Sequence, residues 1–366
     1  MDLFGSQQIE NGYTIAAQTL AIPQSNTLLL SHQGIEQNLL ELWHANRLPH
    51  TVIFSGLKGV GKATFAYRLA RFILKNSATN HSQTDDLPAN TMNISPDDPV
   101  FRKVANGCHG DLLVITNSAD KKIISVEETR KISSFLRQTS SEGGWQIVII
   151  DNAEMMTHSA QNSLLKILEE PPNRTLIVLI AHKIGELLPT IRSRSRLISF
   201  SPLDNEDIKI LLQKSSAGGA ALSSQDLAIL TPLARGSAGQ GITLLANNGI
   251  KTTHDILNFL SEIDTTVSEK INLLSLEIGK SGIDNIIWQF NYIVRWWLEA
   301  IADCMATGQD KMILGHLTFK VPSGYTLHSV LNLHESVENH TKMCEQGSLD
   351  KRYMVFKILR MIQGKE

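Results

Sequence analysis

The run Ser55-Gly56-Leu57-Lys58-Gly59-Val60-Gly61-Lys62-Ala63-Thr64 constrains the fold more tightly than any other part of this 366-residue chain. It follows the apolar run Thr51-Val52-Ile53-Phe54 and precedes Phe65, Ala66, Leu69, Ala70, Phe72 and Ile73, which recur at helical spacing. Strand, glycine-rich turn, helix is the context in which G-x-x-x-x-G-K-[S/T] cradles phosphate. The glycines let backbone N–H groups wrap the anion, and the lysine neutralises it. Gly56, Gly59, Gly61, Lys62 and Thr64 are therefore candidate nucleotide-binding residues. One part is missing. Ala63 stands where a Ser or Thr hydroxyl would hold Mg²⁺, and a methyl group offers nothing to a cation that takes oxygen donors. Two readings stay open for the cradle: a structural turn kept from an ancestor, or a site of weak ATP or ADP binding without its metal ligand.

The same alternation continues to about residue 201. Leu112–Ile115, Trp145–Ile150, Leu176–Ala181 and Leu197–Phe200 are apolar along their length, and Val126–Gln138 and Ser159–Glu169 between them read as helices. Uniformly apolar strands separated by helices predict an α/β fold, a parallel sheet covered on both faces. Residues 76–99, rich in Asn, Ser, Thr, Asp and Pro, read as an exposed loop. Pro202 ends the pattern, and almost everything after it reads as helix. A three-helix unit is expected over 203–247, followed by longer helices that include Ile283–Ala302 with Trp288, Trp296 and Trp297. Those tryptophans, at helical spacing, read as packing. The expected domains are 1–201, 202–254 and 255–366.

Charge and cysteine content narrow the class. Lys and Arg number 34 against 36 Asp and Glu, so the net charge of −2 gives no whole-molecule pull toward nucleic acid. Cys108, Cys304 and Cys344 lie far apart and make no disulfide framework. Cys108-His109 alone is half a metal site, so no bound metal is expected. Residues 1–8 lack the basic and apolar blocks of a signal peptide, and no apolar run reaches the ~20 residues a membrane span needs. The expectation is a cytoplasmic protein without a membrane partner.

A second nucleotide signature is Ile147-Val148-Ile149-Ile150-Asp151, an apolar strand with a carboxylate at its tip. In α/β sheets that edge faces the ligand, and such an aspartate holds Mg²⁺ through water; capping of the next helix is the competing role for Asp151. The position after it, where many ATPases keep a glutamate to activate water, is Asn152, and an amide takes no proton at neutral pH. Glu154 would have to reach back. Ala181 ends a strand where a polar residue would meet the terminal phosphate, and Gln240 stands where an arginine would bridge to it. Four losses converge on one reaction.

Leu164-Leu165-Lys166-Ile167-Leu168-Glu169-Glu170-Pro171-Pro172 and Leu188-Pro189-Thr190-Ile191-Arg192-Ser193-Arg194-Ser195 carry a family resemblance, joined by Asn46-Arg47-Leu48-Pro49-His50. With these motifs the chain resembles the clamp-loader branch of the AAA+ ATPases, as found in bacterial DNA polymerase III. The likeness covers about 28–245 by motif and 255–366 by length and helical content alone. It implies a RecA-like AAA+ domain, a helical lid and an all-helical collar that joins subunits. Ser193-Arg194-Ser195 matches the family's Ser-Arg-Cys, with Ser195 for cysteine, which makes Arg194 the arginine finger given to a neighbour's ATP site. The family's four-cysteine zinc module has no counterpart in 76–110, so no zinc is expected. Arg192 and Arg196 beside the finger read as surface charges, with contact to DNA or a neighbour as the other reading.

The resemblance further implies a hetro-oligomer: gamma/tau ATPase subunits on one side, the delta subunit on the other, and the sliding clamp and primed DNA reached through the complex. The expected function is that of a non-hydrolysing subunit which helps load the clamp during replication, with no cofactor required. The alternatives are a catalytically active ATPase subunit of the same loader, with Thr64 and Glu154 substituting, and an unrelated P-loop NTPase or small-molecule kinase.

Overall fold

The computed structural model describes residues 22–77, 91–117, 123–215, 222–246, 249–264, 268–280, 284–345, 347 and 349–364. The chain divides into two compact units, 1–207 with Gly236–Gly239, and 208–235 with 240–366. Most of the loop expected at 76–99 lies outside the described residues.

In the first unit, α1 (Gln33–His44), β1 (Thr51–Ser55), α2 (Lys62–Ser77), α3 (Pro99–Ala105), β2 (Leu112–Ile115), α4 (Val126–Leu136), β3 (Gln146–Ile150), α5 (His158–Glu169), β4 (Thr175–Ala181), α6 (Pro189–Ser193) and β5 (Arg196–Ser199) follow one another. The five strands are all parallel, in the order β2-β3-β4-β1-β5. Side chains alternate between faces along each strand, and both faces are covered. Val52, Phe54, Ile147, Ile149, Leu176, Val178 and Ile180 join one core with α1 and α2, and Ile53, Val148, Ile150, Ile177 and Leu179 join the other with α4 and α5. This accounts for strands that are apolar without a gap.

Local signals set the helix ends. Asp98 accepts from the Val100 N–H (2.9 Å) and Pro99 opens α3, a helix the sequence reading had left unassigned. Ser125 and Glu128 form a reciprocal capping box on α4, and the Thr157 hydroxyl accepts from the Ala160 N–H (3.2 Å) to start α5.

The second unit is helical as expected, with one addition. Its helices include α8 (Ser224–Ala234), α10 (Gly249–Ser261), α11 (Ser268–Lys280), α12 (Asp284–Thr307), α13 (Leu327–Glu345) and α14 (Lys351–Ile362); α7 (Asn205–Ser215) and α9 (Ala238–Leu245) each begin in residues of the first unit. Trp297, Phe290 and Phe319 are fully buried and Trp296 meets Phe319 edge-on, so these two tryptophans pack a core, whereas Trp288, expected to do the same, is exposed and stacks on Tyr292. The correction to an all-helical C-terminal part is an antiparallel hairpin, β6 (Lys311–Leu314) and β7 (Leu317–Lys320). Its two-residue loop is Gly315-His316, with Gly315 at φ 59°, the positive φ a tight hairpin requires at its first position. Among the described residues, no helix is long and apolar enough to cross a membrane.

Candidate functional site

Because β4 lies between β1 and β3, the carboxyl ends of these three strands bring the glycine loop, Asp151 and the tip of β4 to one edge of the sheet. The loop takes the backbone that its glycines allow. Gly56 and Gly59 have φ of 142° and 83°. A Cβ on Gly56 would strike the Phe200 carbonyl oxygen, and one on Gly59 would strike the Ser237 hydroxyl and stand 2.9 Å from the Gly239 Cα. Both positions need glycine for conformation and for space.

Lys62, the first residue of α2, turns back onto its own loop. Its Nζ donates to the Gly56 and Leu57 carbonyls, each at 2.7 Å, and the residue is only 3% exposed. Burial lowers its pKa to about 8, against the opposing influence of Glu154 and Asp151. From outside, the turn Gly236–Gly239 lies against the same loop. The Ser237 hydroxyl donates to the Lys58 carbonyl (2.7 Å), and the Gly239 N–H donates to the Gly59 carbonyl (2.9 Å). His32 meets the Val60 carbonyl at 2.9 Å. Thus carbonyls of Gly56, Leu57, Lys58, Gly59 and Val60 all have partners from within the chain.

The candidate metal and water groups divide. Ala63 packs against the apolar core beside β1, and Thr64 is buried one position on. Asp151 accepts from the Asn152 N–H (3.0 Å), and burial holds its carboxyl above the usual range despite Lys62 and Lys58 nearby. Asn152 sits in the left-handed region (φ 55°, ψ 51°), and its amide donates to Asn117 Oδ1 (2.7 Å). A left-handed position suits Asn better than most residues. Glu154 is buried in the short 3₁₀ turn Ala153–Met155; Oε1 accepts from the His182 N–H (3.2 Å), and Oε2 has no hydrogen-bond partner. Gln240 accepts from the Tyr292 hydroxyl (2.8 Å), an interaction within the second unit.

Two residues were missed by the sequence reading. His182 follows Ala181 directly, and its Nδ1 is buried without a partner. Burial, with Lys62 and Lys58 adding to it, lowers its pKa to about 4, so the ring is neutral near pH 7. β4 ends at Ala181, opposite Ser55, as expected, and a polar ring follows immediately. Tyr67, on α2, is the second; burial and the Asp151 carboxylate push its hydroxyl up to about 12. A polar residue next to a strand end was the available signal for the first, and nothing in the sequence marked the second.

Arg194 lies apart from these residues in sequence, at the end of α6. Its Nη2 is 2.9 Å from Glu169 Oε1, and its Nη1 donates to the Thr190 carbonyl (3.2 Å). Its side chain remains 39% exposed, so the guanidinium is accessible to a partner. Arg196 donates to Asn38 (3.0 Å). Among the described residues, no cluster of three His, Cys, Asp or Glu side chains is placed to hold a metal ion.

A family model described as "DNA polymerase III, delta subunit" matches residues 31–204. The chain is 28% identical over 291 residues to the DNA polymerase III subunit gamma of Buchnera aphidicola subsp. Schizaphis graminum, covering 73% of this chain and 74% of that one. It is 32% identical over 145 residues to the subunit delta' of Pseudomonas aeruginosa (40% of this chain, 41% of the relative). With the subunit delta' of Escherichia coli K12 the identity is 26% over 208 residues (57% and 58%). The match thus spans 41% and 58% of the length of these two delta' relatives. The matched region holds the five-stranded sheet, the glycine loop, Asp151 and Arg194 together, and over it the chain is similar to the gamma and delta' subunits of DNA polymerase III.

Proposed function

We propose that the chain is a delta-prime-type subunit of the DNA polymerase III clamp loader. In this reading it hydrolyses no ATP itself, helps to load the sliding clamp onto primed DNA, and gives Arg194 to the ATP site of a neighbouring gamma/tau-type subunit. The observation that carries it is the contrast between the two ends of the chemistry. Ala63 has no oxygen for a metal and Asn152 no carboxylate for a proton, while Arg194 stands at the surface with its charge accessible. A hydrolysing site needs a metal ligand beside the lysine and a base for water. A finger needs only a guanidinium that reaches across an interface, where such groups contribute about 10³–10⁵ in rate. The division into 1–201, 202–254 and 255–366, with the last as collar, and the delta subunit as second partner belong to the same proposal. So does the absence of any required cofactor.

The test is Arg194→Ala in the assembled loader. The reading expects assembly to persist and ATP hydrolysis to fall at least tenfold. An unchanged rate would remove the finger role.

One observation favours the alternative, an active ATPase subunit of the same complex. Glu154 brings a buried carboxylate with a free oxygen into the electrostatic neighbourhood of Lys62. Its Oε1 is engaged by the His182 backbone, however, which holds the carboxylate as a structural acceptor at the end of β4. Steady turnover by the purified chain that is lost on Glu154→Gln would establish this alternative.

A further inference from the structure

Glu169 and Glu170 occupy the last position and the C-cap of α5. A helix carboxyl end carries partial negative charge, so two acidic residues there oppose the helix dipole and raise the local negative potential. Helix stability gives no reason for them. The geometry supplies another. The guanidinium of Arg194 has one nitrogen on the Thr190 carbonyl of its own turn and the other on Glu169, so a cation is drawn to the acidic end of α5. The pair is open to solvent, with the carboxylate side chain 50% and the guanidinium 39% exposed. An exposed ion pair of this kind is weak and is readily exchanged for another anion.

We propose that Glu169 is the resting dock of Arg194, a positioning residue that holds the finger until the γ-phosphate of a neighbour's ATP displaces it. The proposal rests on the finger reading given above. Arg194 is then shared between two anions, and the fraction of subunits with a free finger is reduced by the strength of the dock. The carboxylate is not itself a catalytic residue. It sets how much ATP the neighbouring site needs before the finger engages, and it leaves the rate at saturation untouched.

The experiment is a double-mutant cycle in the assembled loader, with ATP as the probe: the natural chain, Glu169→Gln, Arg194→Ala and the double variant. Co-purification of each variant with the other loader subunits is measured alongside. The dock predicts that Glu169→Gln assembles normally and lowers KM for ATP about two- to fivefold, the range an exposed ion pair sets, with kcat unchanged. It also predicts no effect of Glu169→Gln in the Arg194→Ala background, and a return toward the natural KM with Glu169→Asp. A change of equal size in both backgrounds, no change in KM, or loss of assembly with Glu169→Gln would each overturn the dock. If Arg194→Ala leaves the rate unaltered, it is the finger reading that fails. If Arg194→Ala slows hydrolysis while Glu169→Gln is silent, the dock fails alone.

Discussion

Lys62 keeps the lysine position of the motif and is buried against its own loop. Its ammonium donates to the Gly56 and Leu57 carbonyls. Its burial has a consequence for stability. The folded-state pKa is about 8 and the ordinary lysine value 10.5, so between those values the unfolded chain holds more protons than the folded one. Stability contributed by this position therefore rises with pH across that window and is reduced below pH 8, where a charged lysine must be buried. Urea unfolding of the natural chain and Lys62→Met at pH 7.5 and pH 10 checks this. The natural chain gains stability relative to the variant at the higher pH, and parallel profiles would contradict it. Gly56 gives a second prediction at this scale. At φ 142°, with the Phe200 carbonyl oxygen in the path of any Cβ, Gly56→Ala destabilises the first unit by about 1–3 kcal/mol, read from denaturant midpoints. How much of the site was readable beforehand also divides by residue. The loop, Asp151 and the missing hydroxyl at Ala63 were legible because local spacing specifies them. His182 was not, since the end of β4 is set by its register with β1, where Ala181 pairs with Ser55. Nor was the Lys62 latch, which depends on how the loop carbonyls point after folding.

At the scale of elements, β1, like β3 and β4, has neighbours on both sides and a core on each face. Phe54 is fully buried there, with Phe65 and Phe200 at ring-centroid distances of 5.6 and 5.1 Å. Phe54→Ala removes a ring from this aromatic cluster and is expected to cost about 3–5 kcal/mol, measurable as a fall in Tm. A change below 1 kcal/mol would mean the cluster is not the support of the loop that follows. The strands were legible from their uninterrupted apolar runs. α3 was passed over because its seven residues fall at the end of a polar stretch, though Asp98-Pro99 was a usable start signal. The β6–β7 hairpin was passed over because Lys311–Lys320 is short and stands between long helices; Gly315-His316, with alternating burial on β7, was its only local mark.

For the molecule as a whole, near-neutral charge and partitioned chemistry fit a subunit that acts through others. A net charge of −2 leaves no broad, whole-molecule attraction to DNA. In the proposed reading, Ala63 without a hydroxyl and Asn152 without a base concern the chain's own site, and the exposed Arg194 serves a neighbour's. Whether this partition is real turns on the isolated chain. Phosphate release by the purified protein in saturating ATP and Mg²⁺ is the most direct measurement. The account predicts release indistinguishable from a Lys62→Ala control. Turnover approaching about 1 s⁻¹, at the low end of ordinary enzymes, and abolished by Lys62→Ala would contradict it.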